Sequence, residues 1–185
     1  MFSTRGDNLT FSLILKKPQD TKLSLFSILS GISIVRGIKK FTNIKCTLKW
    51  PNDIILNNKK IGGILIENKN DSSFFVIGIG LNINQQEIPN ELKNIASSLR
   101  IEKTNPIQRE PLLAFILNEF ENLYDNNPLE WITQWKMYCD HLNKKVTFNN
   151  HGIQGTFIDI NESGNAIIDT QSKKIVIPSG VLKIL

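Results

Sequence analysis

The chain of 185 residues carries 22 Lys+Arg against 17 Asp+Glu, a net charge of +5, with 41% hydrophobic and 21% charged residues. That is ordinary for a soluble globular protein of one domain plus a small appendage. Two cysteines exclude a disulfide scaffold, and no apolar run approaches the length of a membrane span.

The basic excess is scattered in pairs (Lys16-Lys17, Lys39-Lys40, Lys59-Lys60, Lys144-Lys145, Lys173-Lys174) rather than gathered on one helix face. It suits anionic small substrates or an acidic protein partner as well as nucleic acid. The opening Met-Phe-Ser-Thr-Arg-Gly-Asp lacks a signal-peptide core, so the expected compartment is the reducing cytoplasm.

Taken in order, Leu9, Phe11, Leu13 and Leu15 alternate with Thr10, Ser12 and Ile14 and predict a half-buried strand. From Leu23 to Phe41, apolar residues at 25, 28, 29, 32 and 35 recur at helical spacing and predict an amphipathic helix across the sheet. The stretch Lys45–Glu67 then reads as strand, turn, strand, turn, strand. Cys46, Leu48 and Trp50 alternate with Lys45, Thr47 and Lys49, which puts Lys49 on the face opposite the tryptophan. Pro51 keeps Trp50 extended and presets a turn in which Asn52 and Asp53 supply short polar side chains. Asn57-Asn58 makes the next turn, and the returning strand Ile61–Ile66 carries adjacent Gly62 and Gly63, which bare both of its faces at one level.

Phe74–Asn84 predicts a strand with one apolar face, while Gly78, Gly80, Asn82 and Asn84 on the other suit the lining of a site. Its Gly-Ile-Gly is no dinucleotide fingerprint, since no third glycine and no helix follow. A polar connection spans 85–107 and includes Ala96-Ser97-Ser98-Leu99. Pro111 starts a helix with a stripe of Leu112, Ile116, Phe120 and Leu123. A further helix, Leu129–Leu142, buries Trp131, Trp135 and Tyr138. Cys139 and His141 are too close and too isolated for a zinc site, so no metal site is expected. From Asn143 the period changes to two, with short strands punctuated at Asn149-Asn150, Ser163-Gly164 and Ser179-Gly180, the pattern of a small β-barrel.

Lys49-Trp50-Pro51-Asn52-Asp53, followed by Gly62-Gly63-Ile-Leu-Ile-Glu67, closely resembles the central signature of biotin protein ligases, and the likeness runs from Ser3 to Leu185. Gly155–Ile168 is similar to the SH3-like module that closes the bacterial members. The resemblance implies an α/β (α+β) fold: a catalytic domain like that of class II aminoacyl-tRNA synthetases, with a mixed sheet and helices over 1–142, and an SH3-like barrel over 143–185. It also implies that biotin is activated with Mg2+-bound ATP to biotinyl-5′-AMP and transferred to a lysine of a biotin carboxyl carrier domain.

By that resemblance Lys49 is the catalytic cation that bridges the biotin carboxylate and the α-phosphate, and Gly62 and Gly63 make room for the biotin ring. Asn52, Asp53, Gly78, Gly80 and Asn82 meet the adenylate. The family's early biotin-contacting element and its glycine/arginine loop have no counterpart; Ser3, Gly6, Asn8 and Leu9 fit only the loop's downstream end. No DNA-binding segment is expected, hence no nucleic-acid partner, and no membrane partner. Pairing of two copies through the sheet stays open. So do two other readings: a non-catalytic biotin-binding remnant, and a relative of the lipoate or octanoate transferases.

Overall fold

The computed structural model describes residues 6–68, 72–148 and 152–185. The predicted contributions of Ser3 and of the Asn149-Asn150 turn lie outside them.

The first strand, β1 (Leu9–Lys16), alternates buried or half-buried leucines with exposed polar positions, apart from exposed Ile14. Next, α1 (Leu25–Thr42) ends where Asn43 turns left-handed at φ 60° and returns its N–H to the Lys39 carbonyl. Lys39 and Lys40 in the last turn complement the helix dipole. The helix is buried on more than one stripe, because Ser30, Gly31, Ser33 and Gly37 are also covered. Both serines return their hydroxyls to the carbonyl four residues back, Ser30 to Phe26 and Ser33 to Leu29, so neither hydroxyl is stranded in the core.

Four strands follow: β2 (Thr47–Lys49), β3 (Asp53–Leu56), β4 (Lys59–Glu67) and β5 (Phe74–Leu81). With β1 they form a sheet of order β1-β5-β4-β3-β2. The mixed sheet expected from the resemblance is corrected here: every pairing between these strands is antiparallel. Among the described residues, parallel contact is confined to isolated bridges, Leu48 with Cys139 and Lys60 with Ala96. The physical reason is connectivity, since β2 to β4 are joined by turns too short for a parallel crossover.

α1 covers one face of this sheet. A Cβ built on Gly31 would lie 3.2 Å from Leu48 and 3.8 Å from Ile64, so those two strand side chains point into the helix layer. Behind α1 lie α3 (Arg109–Tyr124) and α4 (Pro128–Tyr138), while a short α2 (Leu99–Lys103) caps the 85–107 connection. The α1–α3 crossing is tight: a Cβ on Gly37 would fall 2.8 Å from the Ile116 Cα. Buried Glu119 of α3 answers two cations of α1, Lys40 and Arg36.

The helix expected over 129–142 ends at Tyr138, because Cys139 turns extended to bridge Leu48. Trp131 and Trp135 are core, as the stripe implied, whereas Tyr138 is only half-buried.

The C-terminal strands are β6 (Lys145–Phe148), β7 (Ile153–Ile160), β8 (Ala166–Asp169), β9 (Lys174–Ile177) and β10 (Leu182–Ile184). They pair as an antiparallel sheet of order β10-β6-β7-β8-β9. Its inner residues, Val146, Phe157 and Ile168 among them, join the same continuous hydrophobic core as α1 and the first sheet.

Candidate functional site

Across a sheet, residues directly opposite one another face the same way. The registers place Thr10, Gly80, Gly63, Asp53 and Lys49 in a single row that crosses all five strands from β1 to β2. This row lies on the face turned away from α1, and two of its central members have no side chain. A cavity of about 560 Å3 opens over it. Its floor is Gly63 of β4 and Gly78 and Gly80 of β5; Thr10 and Ser12 of β1 bound one side, and Ile88, Pro89 and Leu92 of the connection rise as an apolar wall. A bare floor with apolar walls and few polar groups suits a flat, partly apolar small molecule.

The adjacent glycines do different work. A Cβ on Gly62 would meet Leu81 Cδ2 at 2.5 Å and the Gly80 carbonyl at 2.8 Å, so that glycine relieves crowding between β4 and β5. A Cβ on Gly63 would meet only Lys60 closely, with Cε and Nζ each at 3.4 Å. Gly78 would have Leu65 no nearer than 3.7 Å and is open to the cavity.

Lys60 is the one charged residue lining the cavity among the described residues, and it pairs with Asp53. Three positions separate Lys60 from Gly63, so strict alternation would put them on opposite faces. The β3–β4 ladder slips between Ile54 and Ile55, leaving Ile61 as an extra residue. Ile61 is buried, Gly62 packs on Leu81, and Lys60 is returned to the face of Gly63. This is a bulge re-aiming a side chain into a site.

Lys49, expected as the catalytic cation, is on the predicted face and in the same row, but it belongs to the edge strand and does not line the cavity. Two strand spacings put its backbone roughly 10 Å from Gly63, and the Lys60–Asp53 pair stands between. The period-two reading fixed the face correctly; the strand order decided which lysine reaches the floor.

Asn52 lines the cavity and ties its turn to β4: its Nδ2 donates to the Ile64 carbonyl at 2.6 Å, and its own carbonyl accepts the Ile64 N–H at 3.0 Å. Asp53 is present through Lys60 rather than as lining. The Asn82 amide lines the cavity while donating to the Ser97 carbonyl at 3.0 Å and accepting from Asn8 at 3.4 Å.

The connection is held from beneath. Ile95 O accepts the Lys60 N–H at 2.9 Å, and Ser97 N–H donates to Lys60 O at 3.0 Å. Ser98 caps α2 by accepting the Ile101 N–H and donates its hydroxyl to Gln85 O. The Ala96-Ser97-Ser98-Leu99 stretch is therefore the clasp that holds the apolar wall upright. Sequence reasoning passed over Lys60 and the wall residues Ile88 and Leu92. The one available signal was the position of Lys60 directly before the Ile-Gly-Gly run.

Cys139, Asp140 and His141 cluster near Trp50, with the Cys139 sulfur 3.4 Å from His141 Nδ1. Burial pushes the Cys139 thiol up to about 12, which removes it as a nucleophile. His141 is fully buried and accepts the Trp50 N–H at Nε2, leaving Nδ1 to donate to Asp140 at 3.1 Å. The cluster is structural. No group of three or more potential metal ligands occurs among the described residues. No helix among them is long and apolar enough to cross a membrane.

Residues 1–84 match the model of the biotin/lipoate A/B protein ligase family. Curated relatives include the biotin–protein ligase of Schizosaccharomyces pombe, 26% identical, covering 82% of this chain and 29% of the relative. The bifunctional ligase/repressor BirA of Bacillus spizizenii is 33% identical over 187 residues, covering 94% of this chain and 58% of the relative. BirA of Escherichia coli is 25% identical, covering 91% and 56%. Among solved structures, the biotin protein ligase of Aquifex aeolicus superposes with a TM-score of 0.87 at 27% identity, covering 97% of this chain and 83% of that one. The same enzyme in complex with biotin and ATP gives 0.83. The chain thus spans somewhat over half the length of either BirA.

Proposed function

We propose that this chain carries the catalytic part of a biotin protein ligase, with residues 1–142 forming the catalytic unit and 143–185 an appended β module. In the first step a biotin carboxylate oxygen bonds to the ATP α-phosphorus, and the bond to the bridging oxygen breaks, releasing pyrophosphate. In the second, the amine of an acceptor lysine on a biotin carboxyl carrier domain attacks the carboxyl carbon of biotinyl-5′-AMP. An amide forms, AMP leaves, and the amine proton passes to solvent. Mg2+ enters with ATP as part of that substrate.

The observation that carries this reading is the glycine floor with Lys60 at its end. Biotin is a flat, mostly apolar ring system with a charged tail, and the floor bounded by Gly63, Gly78 and Gly80 accepts such a ring without a side chain in the way. Lys60 sits where a carboxylate and a phosphate would meet, and a preorganised cation in an apolar cavity stabilises developing negative charge far better than water does. Asp53 holds that ammonium in place until an anion competes for it. Lys49, one strand beyond Asp53, adds positive charge at the rim. Asn52, Gly62 and Asn82 shape the cavity, and the Ile88–Leu92 wall covers the nucleotide.

The test is biotin-dependent exchange of labelled pyrophosphate into ATP by the chain, followed by labelling of a carrier domain, with lipoate as competitor. Exchange that needs biotin supports the reading. Binding of biotin without exchange would make the chain a non-catalytic binder, and a preference for lipoate would move it to the other branch of the family.

A further inference from the structure

The turn that delivers Asn52 and Asp53 is braced from outside the sheet to which it belongs. Trp50 is buried, and its indole N–H donates to the Gly164 carbonyl in the β7–β8 turn at 3.0 Å, while its ring packs on Phe148 of β6 at 5.4 Å. Its backbone N–H is taken by His141, and Pro51 O accepts the Ser27 hydroxyl of α1 at 3.2 Å. The turn around Gly164 is itself stiff. Asn161 Oδ1 accepts the N–H groups of both Ser163 and Asn165 at 3.0 Å, and Gly164 N–H returns to Asn161 O. Gly164, at φ +75°, lies so close to Ile28 and Leu25 of α1 that a Cβ would meet Ile28 at 3.0 Å. Ser24 Oγ adds a bond to Ser163 O at 2.7 Å.

One residue after the Trp50–Pro51 unit, Asn52 exchanges two hydrogen bonds with Ile64, and the next residue, Asp53, pairs with Lys60. A displacement of Trp50 is therefore passed within three residues to the counter-ion of the cavity's cation. We propose that Trp50 is a positioning residue for the cavity and that the 161–165 turn of the C-terminal sheet holds it there. The appended β module then acts on the site without touching the ligand. The functional half of this proposal rests on the ligase reading of the cavity; the mechanical half does not.

Trp50→Phe keeps an aromatic ring against Phe148 but removes the five-membered part of the indole with its N–H, leaving Gly164 O unanswered. Ser24→Ala loosens the same turn from its other side without altering Trp50. Amide hydrogen exchange on the full chain reads the local effect at Ile64, whose N–H is held by Asn52, against Ile38 in the middle of the core. In Trp50→Phe, Ile64 should exchange about tenfold faster or more while Ile38 is unchanged, and Ser24→Ala should move Ile64 the same way by less. Affinity for ATP or biotin should fall several-fold in parallel. An Ile64 rate that stays put, or that rises only together with Ile38, overturns the proposal, as does faster exchange at Ile64 with unchanged affinities. Should Trp50→Phe fail to fold, Ser24→Ala decides by the same readouts. A wild-type chain that binds neither ATP nor biotin overturns the ligase reading instead, and the exchange rates alone then decide the mechanical coupling.

Discussion

Lys60 and Asp53 pair across the β3–β4 ladder at the edge of the glycine floor, and Lys60 reaches that place because Ile61 is bulged out of register. The pair neutralises the cavity before any ligand arrives. An incoming carboxylate or phosphate must compete with Asp53 for the ammonium, so the site favours ligands that bring more negative charge than one carboxylate.

Lys60→Ala should lower biotin-dependent pyrophosphate exchange by about 10²–10³, the scale of removing one preorganised charge contact. Lys49→Ala should cost far less, on the order of a few-fold, since a rim charge acts through screened distance. Steady-state exchange rates for the two variants check the order; a larger loss at Lys49 would return the catalytic role to the edge strand.

Gly78→Val places a side chain suited to strands into the cavity with no close neighbour, Leu65 O being the nearest at 3.7 Å. The fold should be retained, with Tm changed by no more than about 4 °C. Biotin affinity should fall by at least about tenfold. Calorimetric titration beside a melting curve separates the two effects.

Gly37→Ala should be destabilising even though alanine is the better helix former. The added Cβ meets Ile116 backbone at 2.8 Å, and overpacking a helix crossing costs about 1–3 kcal/mol. Urea denaturation reads the loss directly.

Buried Glu119 faces Lys40 and Arg36, both of which reach solvent. Removing the two cations, as in Lys40→Met with Arg36→Met, leaves a buried carboxylate unpaired and should cost about 3 kcal/mol. Adding Glu119→Leu should recover most of that. Denaturation midpoints of the double and triple variants test the asymmetry.

Burial pushes both thiols, Cys46 and Cys139, up to about 12 from an ordinary value of 9.0. Above pH 9 the unfolded chain releases these protons while the folded chain keeps them. Their contribution to stability is thus full below pH 9 and declines as pH rises toward 12. Urea midpoints measured across that window should fall less steeply in a Cys46→Ala/Cys139→Ala variant. In the folded protein at pH 8, neither thiol should react with an alkylating reagent at the rate of a free cysteine.

Much of the architecture was legible because the periodicities were clean. The alternation of β1 and β5 and the stripes of α1 and α3 correspond to elements observed within a few residues of the expected ends. The open face was legible too, since Gly78 and Gly80 recur every second residue opposite Ile77 and Ile79. What alternation does not carry is strand order and register. Lys49 and Lys60 are both lysines near a glycine pair, and only the order β1-β5-β4-β3-β2, with one slipped position in β4, separates the rim from the floor. The brief helix α2 was hidden within a polar connection, since a five-residue helix capped by Ser98 has too few turns to show a period. The antiparallel pairing throughout the first sheet is likewise a matter of connection length rather than residue type.

The extra residue at Ile61 makes the aim of Lys60 a matter of register rather than of side-chain chemistry. Pairing Ile61 with Ile55 would make the ladder regular, yet it would set Lys60 opposite Leu56 and swing the ammonium group through half a turn into the oily layer beneath α1. Chains descended from this one can exchange many of the surrounding side chains by substitution, but as long as Ile61 is kept, the slip beside it must be kept too.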